Sequence, residues 1–209
     1  MYKAFGIVNS SSRNIRVEGL EDYRPIGAFS FGIDRIQVYV KEKPRTLVSH
    51  IGTGRHYNIN SKSGRLQVLF TDSDQRNNIY NTDIASYYEN MECIEEMHHP
   101  YVVITPDYMV YTADFSKLIE QHIQSEADIT LLYHAVDNAK DAYLNCNILN
   151  LNKQKGVLSI EPNHGNAKNR NIFMDTYIMK KDLFIELIRK AKAISSAFTL
   201  ADIINELHN

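Results

Sequence analysis

The sequence predicts an α/β domain whose mainly parallel, Rossmann-like sheet is flanked by helices and carries a small antiparallel excursion. Short apolar runs at residues 4–8 and 101–105 each open into a polar turn, as buried parallel strands do. Segments with helical spacing lie between such runs, and strands that alternate with helices imply crossover connections and a largely parallel sheet. After Asp137 the segments become shorter, which predicts the antiparallel part.

The other elements follow in order along the chain. Residues 35–40 alternate like a strand, residues 44–50 begin with a proline as short helices often do, and residues 51–62 are loop-like. Apolar residues at helical spacing, among them Ile84 and Tyr87, predict one helix over residues 82–98. Further strands are predicted at 66–70, 129–134, 143–149, 156–160 and 173–179, and further helices at 115–124, 181–192 and 200–207.

Composition narrows the class of protein. A length of 209 residues predicts one domain, and 44% apolar residues suffice for a core. The net charge of −2 argues against a nucleic-acid or membrane surface, and no apolar run approaches a membrane span. Cys93 and Cys146 form no close motif, which favours a reduced cytosol, so we expect a cytoplasmic protein.

The connection between the first two strands is unusual. A parallel pair needs a crossover of about a dozen or more residues, usually helical. Residues 19–32 carry Pro25 and several glycines and have no sustained helical period. We therefore predict that a crossover segment is missing near residues 31–33.

Motifs spread over the chain carry a resemblance to a known family. They are a Pro-x-x-x-Phe-Gly-type segment at 23–32, a His-Ile-Gly-x-Gly segment at 49–54, and residues 81–90, 102–115 and 174–179. In this order they resemble the N-terminal portion of bacterial glucose-1-phosphate adenylyltransferase (ADP-glucose pyrophosphorylase), most closely the D-type regulatory subunit. The resemblance implies a nucleotidyltransferase-type fold in which residues 1–209 form an incomplete domain, because the family continues into a β-helix domain.

The family joins ATP and glucose 1-phosphate, using Mg²⁺, to give ADP-glucose and pyrophosphate in glycogen biosynthesis. Such chemistry needs a phosphate cradle, a metal held by carboxylates, and cations against the phosphates. After the first strand the family has a glycine-rich loop, whereas this chain has Asn9, Ser10 and Arg13 without a glycine. A solvated polar loop is favoured over a weak anion site, and the productive cradle is expected to be lost.

The resemblance places Tyr108 where active members have the magnesium-binding Asp, and a neutral phenol is a poor ligand for a hard cation. The neighbouring Asp107 is interpreted as a turn residue, with a metal ligand as the alternative. The family's second metal carboxylate is expected beyond residue 209. Thr82, Asp107 and Tyr108 are further candidates for nucleotide or effector binding. The resemblance also places Arg24 at the family's effector-binding position, where an Arg could bind phosphate. The alternative is that Arg24 is a surface residue without a binding role.

The sugar-phosphate region also departs from the family. Where active members have Glu-Lys-Pro, this chain has Glu161, Pro162 and Asn163, so the phosphate-binding Lys is absent. Phe173 replaces a serine that contacts glucose in the family, and Asp175 replaces a glycine. A carboxylate near a sugar phosphate is repulsive.

The sequence therefore favours a noncatalytic or weakly active regulatory subunit, and we expect no retained cofactor. Its expected partners are a catalytic homologous subunit and ATP, ADP-glucose or a sugar-phosphate effector. The alternatives are a competent nucleotidyltransferase that uses Asp107 at the metal site, and a stand-alone sugar-nucleotide sensor. We also predict an exposed apolar surface on the last two helices, and hence self-association.

Overall fold

In a computed structural model, residues 4–10, 33–40, 66–71, 78–109 and 111–207 are described. Their strands form one eight-stranded sheet. The strands are β1 Ala4–Ser10, β2 Ile33–Val40, β3 Leu66–Phe70, β4 Tyr101–Pro106, β5 Ile129–Val136, β6 Asn147–Leu151, β7 Val157–Pro162 and β8 Arg170–Lys180. The α-helices of the described residues are α1 Asp83–Glu89, α2 Met91–Glu95, α3 Phe115–Ser125, α4 Lys181–Ile194 and α5 Leu200–Glu206, and a 3₁₀ turn covers Asn78–Tyr80.

The sheet has the order β3-β2-β1-β4-β8-β6-β7, with β5 also paired to β8. Strand β1 pairs in parallel with β2 and β4, and β2 pairs in parallel with β3. Strand β8 runs antiparallel to β4, β5 and β6, and β7 runs antiparallel to β6. It follows that β1 to β6 all point one way and only β7 and β8 oppose them. The predicted α/β class, with a mainly parallel sheet and an antiparallel excursion, is confirmed.

Helices cover both faces of the sheet. Alternate residues of β1 point to opposite faces, so Phe5 and Ile7 join one core cluster and Ala4 and Val8 join another. The first cluster is completed by α1, α2, α4 and α5, and the second by Phe115 and other residues of α3. Because β1 and β4 are parallel neighbours, their carboxyl ends lie side by side, where ligands bind in open α/β sheets.

The single helix predicted over residues 82–98 is wrong, because α1 ends at Glu89 and α2 covers Met91–Glu95. At Asn90 the backbone leaves helical geometry, with φ −109° and ψ 27°. The Asn90 amide donates to the Ser86 carbonyl at 3.0 Å and to the Phe70 carbonyl at 3.4 Å. Asparagine side chains compete with the helical backbone in this way, which explains the break.

The strand predicted at residues 143–149 begins only at Asn147. Tyr143 has φ 59°, a left-handed conformation that a β-strand cannot contain. The preceding residues form a turn, with the Ala142 N–H donating to the Asn138 carbonyl at 3.1 Å. The short apolar run favours a longer strand. The turn forms instead because the side-chain amide of Asn163, about 20 residues along the chain, donates to the carbonyls of Ala142 and Tyr143.

The prediction of an exposed apolar surface on the last two helices is also wrong. Leu187, Ile188, Ile203 and Ile204 are at most 1% exposed, because α4 and α5 pack on each other and on the sheet. Leu183 and Ile185 are partly buried against the same core, and Leu207 is 45% exposed. The premise for self-association through these helices is therefore removed.

The structure does not test the expectation of a missing crossover segment, because residues 31 and 32 lie outside the described ranges. The expected roles of Arg13 and Arg24 also fall on residues outside those ranges. The helix predicted at 44–50 and the loop at 51–62 lie there too. Across the ranges that are described, no helix is long and apolar enough to cross a membrane.

Candidate functional site

The carboxyl ends of β1 and β4 bring three of the candidate residues together. Asn9 is paired with Pro106 in the parallel register, and the Asn9 carbonyl accepts the Asp107 N–H at 3.3 Å. The Ser10 hydroxyl donates to Asp107 Oδ2 at 2.5 Å. A short hydrogen bond from a hydroxyl to a carboxylate is charge-assisted and strong. Asp107 is thus held against β1 by its backbone and its side chain.

The residues at this edge do not fit the magnesium ion that the family resemblance implies. Mg²⁺ prefers carboxylate oxygen in octahedral geometry. Where the resemblance leads us to expect the magnesium-binding Asp, this chain has Tyr108, whose phenol oxygen is buried, and the adjacent Asp107 carboxylate accepts the Ser10 hydroxyl. In the described ranges no group of three or more His, Cys, Asp or Glu residues is arranged to hold a metal ion.

A cavity of about 70 Å³ lies beside this edge, between the sheet and helices α1 and α5. Its described lining comprises Asn9, Asp83, Tyr87, Ile104, Pro106, Asn147, Asp175, Tyr177, Thr199 and Ala201. Sites for small organic ligands usually enclose roughly 300–1,000 Å³. This cavity is therefore suited to a very small occupant.

Thr82 and Asp83 act on helix ends. The Thr82 hydroxyl caps α1 by accepting the Ala85 N–H at 3.2 Å. The Asp83 carboxylate accepts the Ile84 N–H at 2.8 Å and, across the cavity wall, the Leu200 N–H at 3.1 Å. One carboxylate thereby satisfies first-turn donors of both α1 and α5. Sequence reasoning missed Asp83, although a Thr-Asp pair before an apolar helical pattern is a helix-start signal.

Tyr87 is fully buried at the cavity, packed edge-on against Tyr39 and Phe184. Burial raises the pKa of its hydroxyl well above the usual value, and the nearby charge of Asp83 raises the pKa further, with smaller contributions from Tyr39 and Asp175. The phenol is therefore neutral at physiological pH. Its hydroxyl has no hydrogen-bond partner within the described residues.

Asp175 has a left-handed backbone, with φ 43°. In the pairing of β5 with β8, Leu132 faces Thr176 while Tyr133 faces Phe173, so Met174 and Asp175 form a bulge. Bulges often place a residue in the left-handed region, where glycine is unstrained and aspartate is tolerated. The backbone geometry explains why a glycine suits this position in the family.

We expect Asp175→Gly to raise the free energy of unfolding by about 1 kcal/mol, because left-handed backbone costs a side-chain-bearing residue about that much. Asp175→Val should lower it by about 1–2 kcal/mol, since a β-branched residue is strained at φ 43°. Urea denaturation of the three proteins is the measurement. Equal stability of the Gly and Val variants would show that the left-handed bulge is not present in solution.

Phe173 and Glu161 lie away from the described lining of the cavity. Phe173 is fully buried in the core, with its ring edge-on to Tyr177 at a centroid distance of 5.1 Å. Glu161 is exposed on β7, where its carboxylate accepts the Ser159 hydroxyl at 2.7 Å. The structure therefore does not group these two candidates with Asp175.

Asn163, which follows Glu161 and Pro162, is 3% exposed and organises the loop before β6. Its side-chain amide donates to the carbonyls of Ala139, Ala142 and Tyr143 at 2.9, 3.2 and 3.1 Å. Its Oδ1 accepts the Gly165 N–H at 3.1 Å. A structural asparagine thus stands in the segment where the family resemblance expects a phosphate-binding lysine.

The segment after Asp107 is tied to the bulge of β8 by a cluster of hydroxyl groups. The Tyr111 hydroxyl lies 3.0 Å from Thr105 Oγ1 and 2.5 Å from Thr176 Oγ1. Thr176 Oγ1 also donates to the Met174 carbonyl at 2.9 Å. Burial raises the pKa of Tyr111, and the two threonine hydrogen bonds oppose that shift. The cluster ties Tyr111 to Thr105 on β4 and to Thr176 beside the bulge of β8.

The parallel sheet, its helical layers and the strand-end site define a nucleotidyltransferase-type domain. The Nucleotidyl transferase family matches residues 24–207, and the chain belongs to this family.

Among curated proteins, the chain is similar to glucose-1-phosphate adenylyltransferases. It is 25% identical to that of Clostridioides difficile over 162 residues, which are 77% of this chain and 42% of the relative. It is 28% identical to that of Clostridium perfringens (strain SM101) over 148 residues, covering 70% of this chain and 38% of the relative. For Lachnospira eligens the identity is 24%, over 79% of this chain and 40% of the relative. The chain thus spans about two fifths of the length of these relatives.

Proposed function

We propose that this nucleotidyltransferase-family chain belongs to a glucose-1-phosphate adenylyltransferase-type protein and acts as its noncatalytic or weakly active regulatory subunit. The observation that carries the proposal is the arrangement of side chains at the carboxyl end of β4. There Tyr108, whose hydroxyl oxygen is buried, follows Asp107, and the Asp107 carboxylate accepts the Ser10 hydroxyl at 2.5 Å. A carboxylate held by a hydroxyl and a neutral phenol make a weak site for a hard divalent cation.

The charge of the adjacent cavity supports the same proposal. Asp83 and Asp175 both line it, and its described lining contains no Lys, Arg or His. A sugar phosphate brought to this position would meet like charge in a partly desolvated place, where repulsion is stronger than in water. The catalysis of phosphoryl transfer depends on cations placed against the phosphates, so this arrangement is unfavourable for it.

The proposal includes partners and location. The subunit pairs with a catalytic homologue in the cytoplasm, serves glycogen biosynthesis, and responds to ATP, ADP-glucose or a sugar-phosphate effector. The similarity to glucose-1-phosphate adenylyltransferases supports the substrate class. A second candidate is a competent nucleotidyltransferase in which Asp107 leaves Ser10 and binds the metal, and a third is a stand-alone sugar-nucleotide sensor.

We expect the chain alone to form no measurable ADP-glucose from ATP, glucose 1-phosphate and Mg²⁺. Tyr108→Asp should not restore the reaction, because the cavity charge and the segment around Asn163 stay unchanged. Adding the chain to a catalytic glucose-1-phosphate adenylyltransferase should change the effector response of the latter. Coupled pyrophosphate release measures all three expectations.

The same assay separates the alternatives. Magnesium-dependent pyrophosphate release from the chain alone, abolished by Asp107→Asn and kept in the exposed-carboxylate control Asp114→Asn, would establish the competent enzyme and refute the proposal. An unchanged response of the catalytic protein, with no complex on sedimentation, would remove the regulatory-subunit proposal. Binding of ADP-glucose without any complex would then favour the sensor.

A further inference from the structure

Strand β7 forms one end of the sheet. It pairs with β6 and, within the described residues, with no other strand. The Asn163 N–H, directly after β7, donates to the Cys146 carbonyl on the β6 side at 2.9 Å. Because successive residues of a strand turn their backbone groups to opposite sides, the N–H and carbonyl of Ile160 face away from β6. Such an outer edge is a surface with which another strand pairs.

The side chain of Asn205, on α5, occupies this outer edge of β7. Its Oδ1 accepts the Ile160 N–H at 2.8 Å, and its Nδ2 donates to the Ile160 carbonyl at 2.9 Å. One amide side chain therefore makes both hydrogen bonds that a residue of a neighbouring antiparallel strand would make. Ile160 is 5% exposed, so its backbone groups need partners from the protein.

The packing of α5 holds the Asn205 amide in place. The helix starts with a capping box, in which the Thr199 hydroxyl accepts the Asp202 N–H at 3.2 Å and the Asp202 carboxylate accepts the Thr199 N–H at 2.9 Å. Its apolar face is buried in the core and comprises Leu200, Ile203 and Ile204. The amide is thus fixed at the edge by a helix that belongs to the core.

Two further features blunt the same edge. The register of β6 against β7 shifts at Leu158, which forms a bulge. Pro162 ends the strand and has no N–H to donate. Bulges and prolines are devices by which natural sheets prevent an exposed edge from pairing with another chain. Ile160 lies between these two features, and at Ile160 the corresponding device is the Asn205 amide.

We propose that Asn205 is an edge guard, and that removing its amide lets β7 pair, around Ile160, with the β7 edge of a second copy of the chain. Two identical edges pair antiparallel about a twofold axis, because each copy presents the same groups to the other. Leu158 is 57% exposed beside this edge and supplies apolar area for such a contact to bury. The contact of Asn205 with Ile160 is therefore autoinhibitory, since α5 takes the place of the second copy.

Asn205→Ala opens the edge, and sedimentation velocity of the whole chain over a range of concentrations measures the result. We expect a species of twice the mass of the parent species, which grows with concentration and is absent from the parent chain at the same concentrations. Hydrogen exchange locates the contact. The Ile160 N–H should exchange faster in the dilute variant than in the parent chain, and should become protected again as the variant associates.

Asn150→Ala is the matched control. It removes an amide from the neighbouring strand β6, where Asn150 donates to the Ser159 hydroxyl at 2.9 Å, and it leaves Asn205 on the β7 edge. This variant should sediment like the parent chain. Association of Asn150→Ala as strong as that of Asn205→Ala would contradict the role assigned to Asn205.

Asn205→Asp separates an open edge from a mere loss of stability. The carboxylate still accepts the Ile160 N–H but cannot donate to the Ile160 carbonyl, so this variant should also be less stable than the parent chain. It should not associate, because a charged side chain at a sheet edge opposes pairing. Equal association of the Asp and Ala variants would overturn the proposal. So would an Asn205→Ala chain that sediments like the parent, or an associated form in which the Ile160 N–H stays unprotected.

Discussion

Phe173→Ser is expected to lower the free energy of unfolding by about 4 kcal/mol, since emptying a buried aromatic position costs about 3–5 kcal/mol. The phenyl ring is fully buried in the core and packs edge-on against Tyr177 at 5.1 Å. Serine would leave a cavity there and bury a hydroxyl that needs a partner. Urea denaturation followed by circular dichroism measures the change.

Phe173→Leu is the matched control, because it keeps an apolar side chain and should cost only about 1–2 kcal/mol. The experiment also bears on function, since serine is the residue that the family resemblance expects at this position. A serine variant that stays as stable as the parent chain and gains affinity for glucose 1-phosphate would show that residue 173 faces a sugar site. If the serine variant loses stability and gains no binding, Phe173 serves the core of this chain and not a sugar site.

Asn163→Ala is expected to lower the free energy of unfolding by about 3 kcal/mol, because each buried group left unsatisfied costs about 1–3 kcal/mol. The Asn163 amide serves the carbonyls of Ala139, Ala142 and Tyr143, and its oxygen accepts the Gly165 N–H. The turn before β6 should open locally as well. Limited proteolysis should therefore cut the variant near Tyr143 much faster than the parent chain.

Asn163→Asp tests the hydrogen-bond assignment at constant size. A carboxylate can still accept the Gly165 N–H, but it cannot donate, and it places negative charge against the three carbonyls, so we expect a loss at least as large as that for alanine. Asn150→Ala is the control for a partly exposed amide, which donates at 2.9 Å to the Ser159 hydroxyl, and should cost about 1 kcal/mol or less. Equal effects at residues 150 and 163 would contradict the structural role of Asn163.

The parts of the fold that could be predicted are those coded by local pattern. Strand β3 was predicted with the bounds Leu66–Phe70, and β4 to within one residue, because a short apolar run between polar turns has few other solutions. Asn9, Ser10 and Asp107 were identified as candidates because they follow predicted strands, at whose carboxyl ends ligands bind in open α/β sheets. Each of these inferences needed only residues that are close in sequence.

The predictions that failed depended on distant residues. The break at Asn90 is stabilised by the Phe70 carbonyl on β3, and the turn around Tyr143 by Asn163. The cavity could not be predicted either, because the Asp83 carboxylate binds the Leu200 N–H, 117 residues along the chain. No periodicity or propensity encodes a contact of that separation.

By itself, the sequence determined the α/β class, the alternation of strands and helices, and the family resemblance, because hydrophobic period and short motifs are local properties. Only the tertiary structure decided which departures from the family pattern lie in the core and which line the candidate site. Phe173 is turned into the core, whereas Asp175, two residues on, is turned to the cavity by a bulge in β8. The physical reason is that side-chain direction in a sheet depends on pairing register, and the register is fixed by the neighbouring strand.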